Sequence, residues 1–132
     1  MNILIFDVLS SHIQKRIRQE CGLNLSQTRI LLFFAQSDNK PLKMGDLARA
    51  LNLSLSTLSR QLQQPNTAHL IELKRSKLDS SKKIWLNEAG ISSLKSLQKT
   101  LAKLDDQLFI HWENQDKVKF KRQLSMLVNS FD

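Results

Sequence analysis

Between residues 54 and 64 the chain gathers side chains that make directional hydrogen bonds: Ser54, Ser56, Thr57, Ser59, Arg60, Gln61, Gln63 and Gln64. Hydroxyl, amide and guanidinium groups are those that reach base edges in a major groove. Arg60 suits a guanine edge or a phosphate. Three glutamines this close cannot all face one groove from a helix, so one of them is expected to stay in solvent. A second group follows in LIELKRSKLDSSKKIWLN, residues 70–87, where Lys74, Arg75, Lys77, Lys82 and Lys83 supply cations. Such cations hold phosphates, contacts that position a protein on nucleic acid and make affinity fall with salt. Taken alone, a charge run is more often a solvated surface; the polar segment beside this one favours phosphate.

The elements that must position these groups can be read from spacing. MGDLARAL, Met44 to Leu51, predicts a helix, Asn52-Leu53-Ser54 a turn, and Leu55 to Gln64 a second helix. Pro65 should stop that helix, and Asn66 to His69 reads as a connector. Leu70 to Lys74 and Lys83 to Leu86 are strands of a hairpin, with Leu42 and Met44 a short strand before the first helix. Leu53, Leu58 and Leu62 are assigned to the core. A helix, a tight turn, a polar second helix and a basic hairpin form the order in which a winged helix-turn-helix meets DNA.

The rest of the chain reads as helix. Ile3, Phe6, Ile13 and Ile17 share one face of a first helix, which ends at Cys21-Gly22. Ser26 is the expected N-cap of a second helix, Gln27 to Gln36, apolar over much of its circumference and therefore central. Asn87 is the expected N-cap of a long helix, Glu88 to about Trp112. In it Leu94, Leu97, Leu101, Leu104 and Leu108 alternate three and four apart, a heptad seam that asks for another helix. A last helix, about Gln115 to Ser130, places Phe120, Leu124, Leu127 and Phe131 on one face.

Composition narrows the classes. The chain has 132 residues, which predicts one domain, and a net charge of +8, which favours an anionic partner. Only 3 Gly and 2 Pro argue for helices over an all-β fold. The single cysteine, Cys21, excludes an internal disulfide and suits a reducing cytoplasm. The N-terminus lacks the basic start and cleavage site of a signal peptide, and no run is long enough to span a membrane, so a cytoplasmic protein without a membrane partner is expected. Glycine-rich phosphate loops, nucleophile elbows and dense acid pairs are absent from the sequence, so no enzymatic function and no cofactor is predicted. His12, His69, His111, Glu20 and Cys21 show no tight ligand spacing, and no metal site is predicted.

From about Leu25 to Leu94 these residues resemble the MarR family of bacterial transcription regulators. The resemblance lies in LSQTRILLFF, in LKMGDLARALNLSLSTLSRQL, in the hairpin and in LNEAG. Leu47-Ala48, Leu51, Leu53, Ser56-Thr57-Leu58 and Arg60 fall where the family has similar residues. Leu86 and Gly90 match its LTxxG, with Asn87 for the threonine. The hairpin departs from the family's Asp-x-Arg: Asp79 is followed by Ser80, Ser81, Lys82 and Lys83, so the arginine's part must pass to Lys82, Lys83 or Arg75, or be absent. A further departure is the missing glycine near His69.

The resemblance implies a mainly α fold with a small β-hairpin: a winged helix-turn-helix flanked by N- and C-terminal dimerisation helices. Residues 1–132 would form one domain, with 25–90 as the DNA-binding lobe and 1–20 and 91–132 as dimerisation helices. Phe6, Ile13, Leu97, Leu101, Leu104, Leu108, Phe120, Leu124 and Leu127 are the expected dimer contacts. It also implies a homodimeric, sequence-specific repressor on a near-palindromic double-stranded operator, released by a small-molecule effector. In some members a first-helix cysteine senses oxidants; for Cys21 a bystander role is the better reading. The alternative is a non-catalytic architectural or protein-interaction module that uses its winged helix differently.

Overall fold

The computed structural model describes residues 1–78 and 81–131. The element order is α1 (Ile5–Cys21), α2 (Leu25–Gln36), β1 (Leu42–Lys43), α3 (Met44–Ala50), α4 (Leu55–Gln63), α5 (Pro65–Ala68), β2 (Ile71–Arg75), β3 (Lys82–Leu86), α6 (Glu88–Leu108) and α7 (Asn114–Asn129). The chain divides into two compact units, residues 1–100 and 101–132, with α6 contributing to both. Asp79 and Ser80, which carry the hairpin's departure from the family pattern, lie outside the described residues.

In the first unit, α1 stops at Gly22, whose φ of 68° is left-handed and whose N–H reaches the Arg18 carbonyl at 2.9 Å. Only glycine adopts that conformation without strain. The next helix begins earlier than the sequence predicts. Asn24, not Ser26, is the N-cap: its Oδ1 accepts from the Gln27 N–H at 2.8 Å, and Gln27 Oε1 accepts from the Asn24 N–H at 2.8 Å. That reciprocal box satisfies two otherwise unpaired donors, a stronger start signal than one serine gives. Ile30, Leu31 and Phe34 of α2 are almost wholly buried and meet the core with Leu47, Leu58, Ile84, Leu86 and Leu97. Fully burying such side chains is worth about 1.5–3 kcal/mol each, so α2, α3, α4, β3 and the first half of α6 all contribute to the buried core.

The sheet has three antiparallel strands in the order β1-β3-β2, one more than a hairpin. Leu42 pairs with Ile84 and Lys43 with Lys83; on the other side Ile71 pairs with Leu86 and Arg75 with Lys82. Pro65 ends α4 as expected, but the following segment is not a plain connector. Proline at the first position of a helix gives up only an N–H that has no partner there, and Pro65 opens the short α5 in that way. Buried Gln27 then donates from Nε2 to buried Thr67 Oγ1 at 3.3 Å, tying α5 to α2.

In the second unit α6 ends at Leu108, short of Trp112. Phe109, Trp112 and Phe120 form an aromatic trio with centroids 5.1–5.8 Å apart. Asp105 lies 2.5 Å from both Lys117 Nζ and Lys121 Nζ, and each ammonium stands 5.4 Å from the Phe109 ring centroid. These contacts join the end of α6 to α7. Among the described residues no helix is long and apolar enough to cross a membrane.

Candidate nucleic-acid interface

The turn between α3 and α4 closes when the Leu53 N–H bonds the Ala48 carbonyl at 2.8 Å, with Asn52 in the left-handed region at φ 55°. Asparagine tolerates that region better than most residues. Ser54 caps α4: its Oγ accepts from the Thr57 N–H at 3.1 Å and lies 2.8 Å from Thr57 Oγ1. Ser54 and half-buried Thr57 therefore start the helix before they offer anything to a ligand. Leu58 and Leu62 are buried, and Leu53 is half-buried, less interior than its assignment to the core implies.

Opposite the buried leucines, Ser56, Arg60 and Gln63 stand at positions i, i+4 and i+7, exposed along one face. Arg60 reaches back to Thr57 Oγ1 at 3.5 Å, and Gln63 to half-buried Ser59 at 3.4 Å. The three glutamines separate. Gln63 joins the exposed face, Gln64 is the exposed C-cap residue, and half-buried Gln61 lines a small cleft with Leu25, Arg29 and Leu51.

Alternation along the hairpin sorts its cations onto two faces. Arg75 and Lys82 are directly opposite one another, on the face that also carries Ile71, Leu73 and Ile84. Lys74 and Lys83 are opposite one another on the reverse face, where the register adds Lys43 beyond Lys83. Lys43 was missed by sequence reasoning because a two-residue strand has no period to betray it. Like charges placed directly across a sheet destabilise it. Among the described residues no carboxylate forms an ion pair with Lys74, Arg75, Lys82 or Lys83. Lys77 is exposed at the hairpin tip. Between α3, α4 and the hairpin lies an open cleft of about 720 Å³, whose lining includes Asp46 and Arg49 of α3, Leu55, Ser59 and Gln63 of α4, and Leu73 and Lys82 of the hairpin.

The residues expected at a dimer contact fall into three groups. Leu97 and Leu104 are buried within the single chain, at 0% and 7% exposure. Ile13, Leu101, Phe120 and Leu124 are half-buried. Phe6, Leu108 and Leu127 are 46%, 44% and 53% exposed, so they have apolar surface still to cover. Cys21 is half-buried, with its Sγ 3.3 Å from Thr100 Oγ1.

A family model described as MarR family matches residues 22–80. No curated protein matches the chain significantly. Among solved structures, the Staphylococcus aureus MepR–DNA complex superposes with a TM-score of 0.79 at 18% identity, over 100% of this chain and 97% of that one. A crystal structure of MarR gives 0.79 at 18% identity, over 98% and 90%. AbsC, a MarR family transcriptional regulator from Streptomyces coelicolor, gives 0.74 at 21% identity, over 96% and 86%. The winged helix-turn-helix fold is thereby shown, and the resemblance read from the residue types is borne out by the family match.

Proposed function

We propose that this chain, whose residues 22–80 carry a MarR-family winged helix-turn-helix, is a dimeric, sequence-specific DNA-binding regulator of transcription that acts as a repressor and is released by a small-molecule effector. The observation that carries the DNA reading is the pair of like-charged cross-strand register pairs, Arg75–Lys82 and Lys74–Lys83, beside the exposed Ser56–Arg60–Gln63 face. A sheet that sets cations against cations gives up stability by itself and regains it on a polyanion. The neighbouring helix then offers hydroxyl, guanidinium and amide groups to the base edges of a major groove. Lys74, Arg75, Lys77, Lys82 and Lys83 hold phosphates, and Arg60 reads a base or positions the helix.

Dimerisation is supported by apolar surface within each unit. Ile5, Phe6, Val8 and Leu9 of α1 are all exposed in the first, and Met126, Leu127 and Val128 of α7 in the second. Two copies present two recognition helices to half-sites about one helical turn apart. Effector release follows the family pattern and requires an effector that prefers the arrangement unable to bind DNA.

The reading is tested by titrating duplex DNA with the intact protein across a salt series. A selected operator is expected to bind at least about 10³-fold more tightly than random duplex. Arg75→Ala with Lys82→Ala should reduce the slope of log K against log salt by about 2 per protomer. Equal affinity for operator and random duplex would leave a coating or scaffold protein in place of a regulator.

A further inference from the structure

The root of the hairpin is held by side chains that sit far from its cations. The β1–β3 register, continued two residues past its end, would set residue 40 against Leu86. Backbone pairing does not continue there; the Asn39 side chain takes its place. Asn39 Oδ1 accepts from the Leu86 N–H at 2.8 Å, and Asn39 Nδ2 donates to the Leu86 carbonyl at 3.0 Å. Asn39 can do this because its backbone turns through the left-handed region at φ 54°. On the other side, Asn87 Nδ2 donates to the His69 carbonyl at 2.9 Å and approaches the Ile71 carbonyl at 3.5 Å. The Asn87 N–H bonds the Leu70 carbonyl at 3.1 Å. The other end of the same amide, Oδ1, accepts from the Gly90 N–H at 2.9 Å and caps α6. Gly90 is buried, and a β-carbon built on it would overlap the Leu70 carbonyl oxygen.

We propose that Asn39, Asn87 and Gly90 form a joint that fixes the hairpin against the start of α6, and that the phosphate contacts of Arg75, Lys82 and their neighbours depend on it. The three are positioning residues: none of them carries a charge to DNA. Asn87 serves both sides at once, with its oxygen on the first turn of α6 and its nitrogen on the entry to β2. A threonine or serine at this position could cap the helix with its hydroxyl oxygen but has no second arm to hold both carbonyls. A shift of the start of α6 therefore reaches the hairpin directly, without passing through α4. The phosphate half of this proposal rests on the DNA reading above; the joint itself does not.

The test uses the full chain with Asn87→Ser and Asn39→Gly, singly and together. Serine keeps an acceptor for the Gly90 N–H and removes the amide nitrogen that reaches the His69 and Ile71 carbonyls. Glycine keeps the positive φ and removes both bonds to Leu86. Amide hydrogen exchange, which needs no DNA, should accelerate about tenfold or more in residues 71–75 and 82–86 of the double variant, while the amides of α2 and α4 keep their protection. On duplex DNA the salt slope should fall by about 2 per protomer, as when two phosphate contacts are lost. Unchanged exchange in the hairpin, or acceleration spread evenly over the first unit, would overturn the joint. Accelerated hairpin exchange with an unchanged salt slope would overturn its role in holding phosphates. A parent protein that does not bind DNA at all would instead overturn the DNA reading.

Discussion

Arg60 is the residue on which the reading of α4 turns. It is exposed, shares a face with Ser56 and Gln63, and makes only a long contact to Thr57. Nothing in the fold requires its guanidinium. Arg60→Ala is therefore expected to leave thermal stability within about 0.5 kcal/mol and to weaken operator binding by about 1–3 kcal/mol; unchanged affinity at physiological salt would remove Arg60 from the interface. Asp105 shows a charge working for structure. Hydrogen bonds from Lys117 and Lys121, in that order, hold its carboxyl below its ordinary value of 3.8; desolvation works the other way, and the charge of each lysine adds a smaller lowering. A depressed folded value means that the stabilisation is complete above the unfolded value and is lost as pH falls through the folded one. The second unit should thus loosen on acidification below 3.8, and Asp105→Asn should flatten that dependence. Hydrogen exchange in residues 101–131 across an acid series checks it; an acid response identical in the two proteins would contradict the assignment.

At the scale of elements, α3, α4, the strands and the α6 start were legible because each has a local signal. Leucine spacing marks the helices, Pro65 a stop, and Asn87 a cap. The α2 start was misplaced because Asn24 and Ser26 are both good caps, and only the reply from Gln27 Oε1 decides between them. Asn24→Ala should accordingly cost about 0.5–2 kcal/mol in urea denaturation, with Ser26→Ala near neutral; the reverse order would restore Ser26 as the cap. The Asn39 clamp on Leu86 was not legible at all. It joins a loop to a strand end across 47 residues of sequence, and no period or motif reports such a contact. The polar face of α4 could be read, but the division of its glutamines between two clefts depends on what packs beside the helix.

At the scale of the whole molecule, a heptad pattern says that a face is apolar and not whose core covers it. Leu97 and Leu104 are covered by their own chain, while Leu108 and Leu127 are left exposed. The exposed residues are the ones that bear on assembly. Leu127→Asp substitutes a side chain already 53% exposed, so the protomer should fold, and the proposed dimer should dissociate in sedimentation velocity. A variant that sediments as the parent dimer would take α7 out of the interface.

The account stands on one claim, that two recognition helices read a defined DNA sequence together. Selecting bound duplexes from a randomised pool at physiological salt, and sequencing the survivors, tests it directly. The account predicts an enriched inverted repeat with half-sites about 10 base pairs apart, centre to centre. Survivors without a shared motif, from a protein that nonetheless retains DNA, would contradict it.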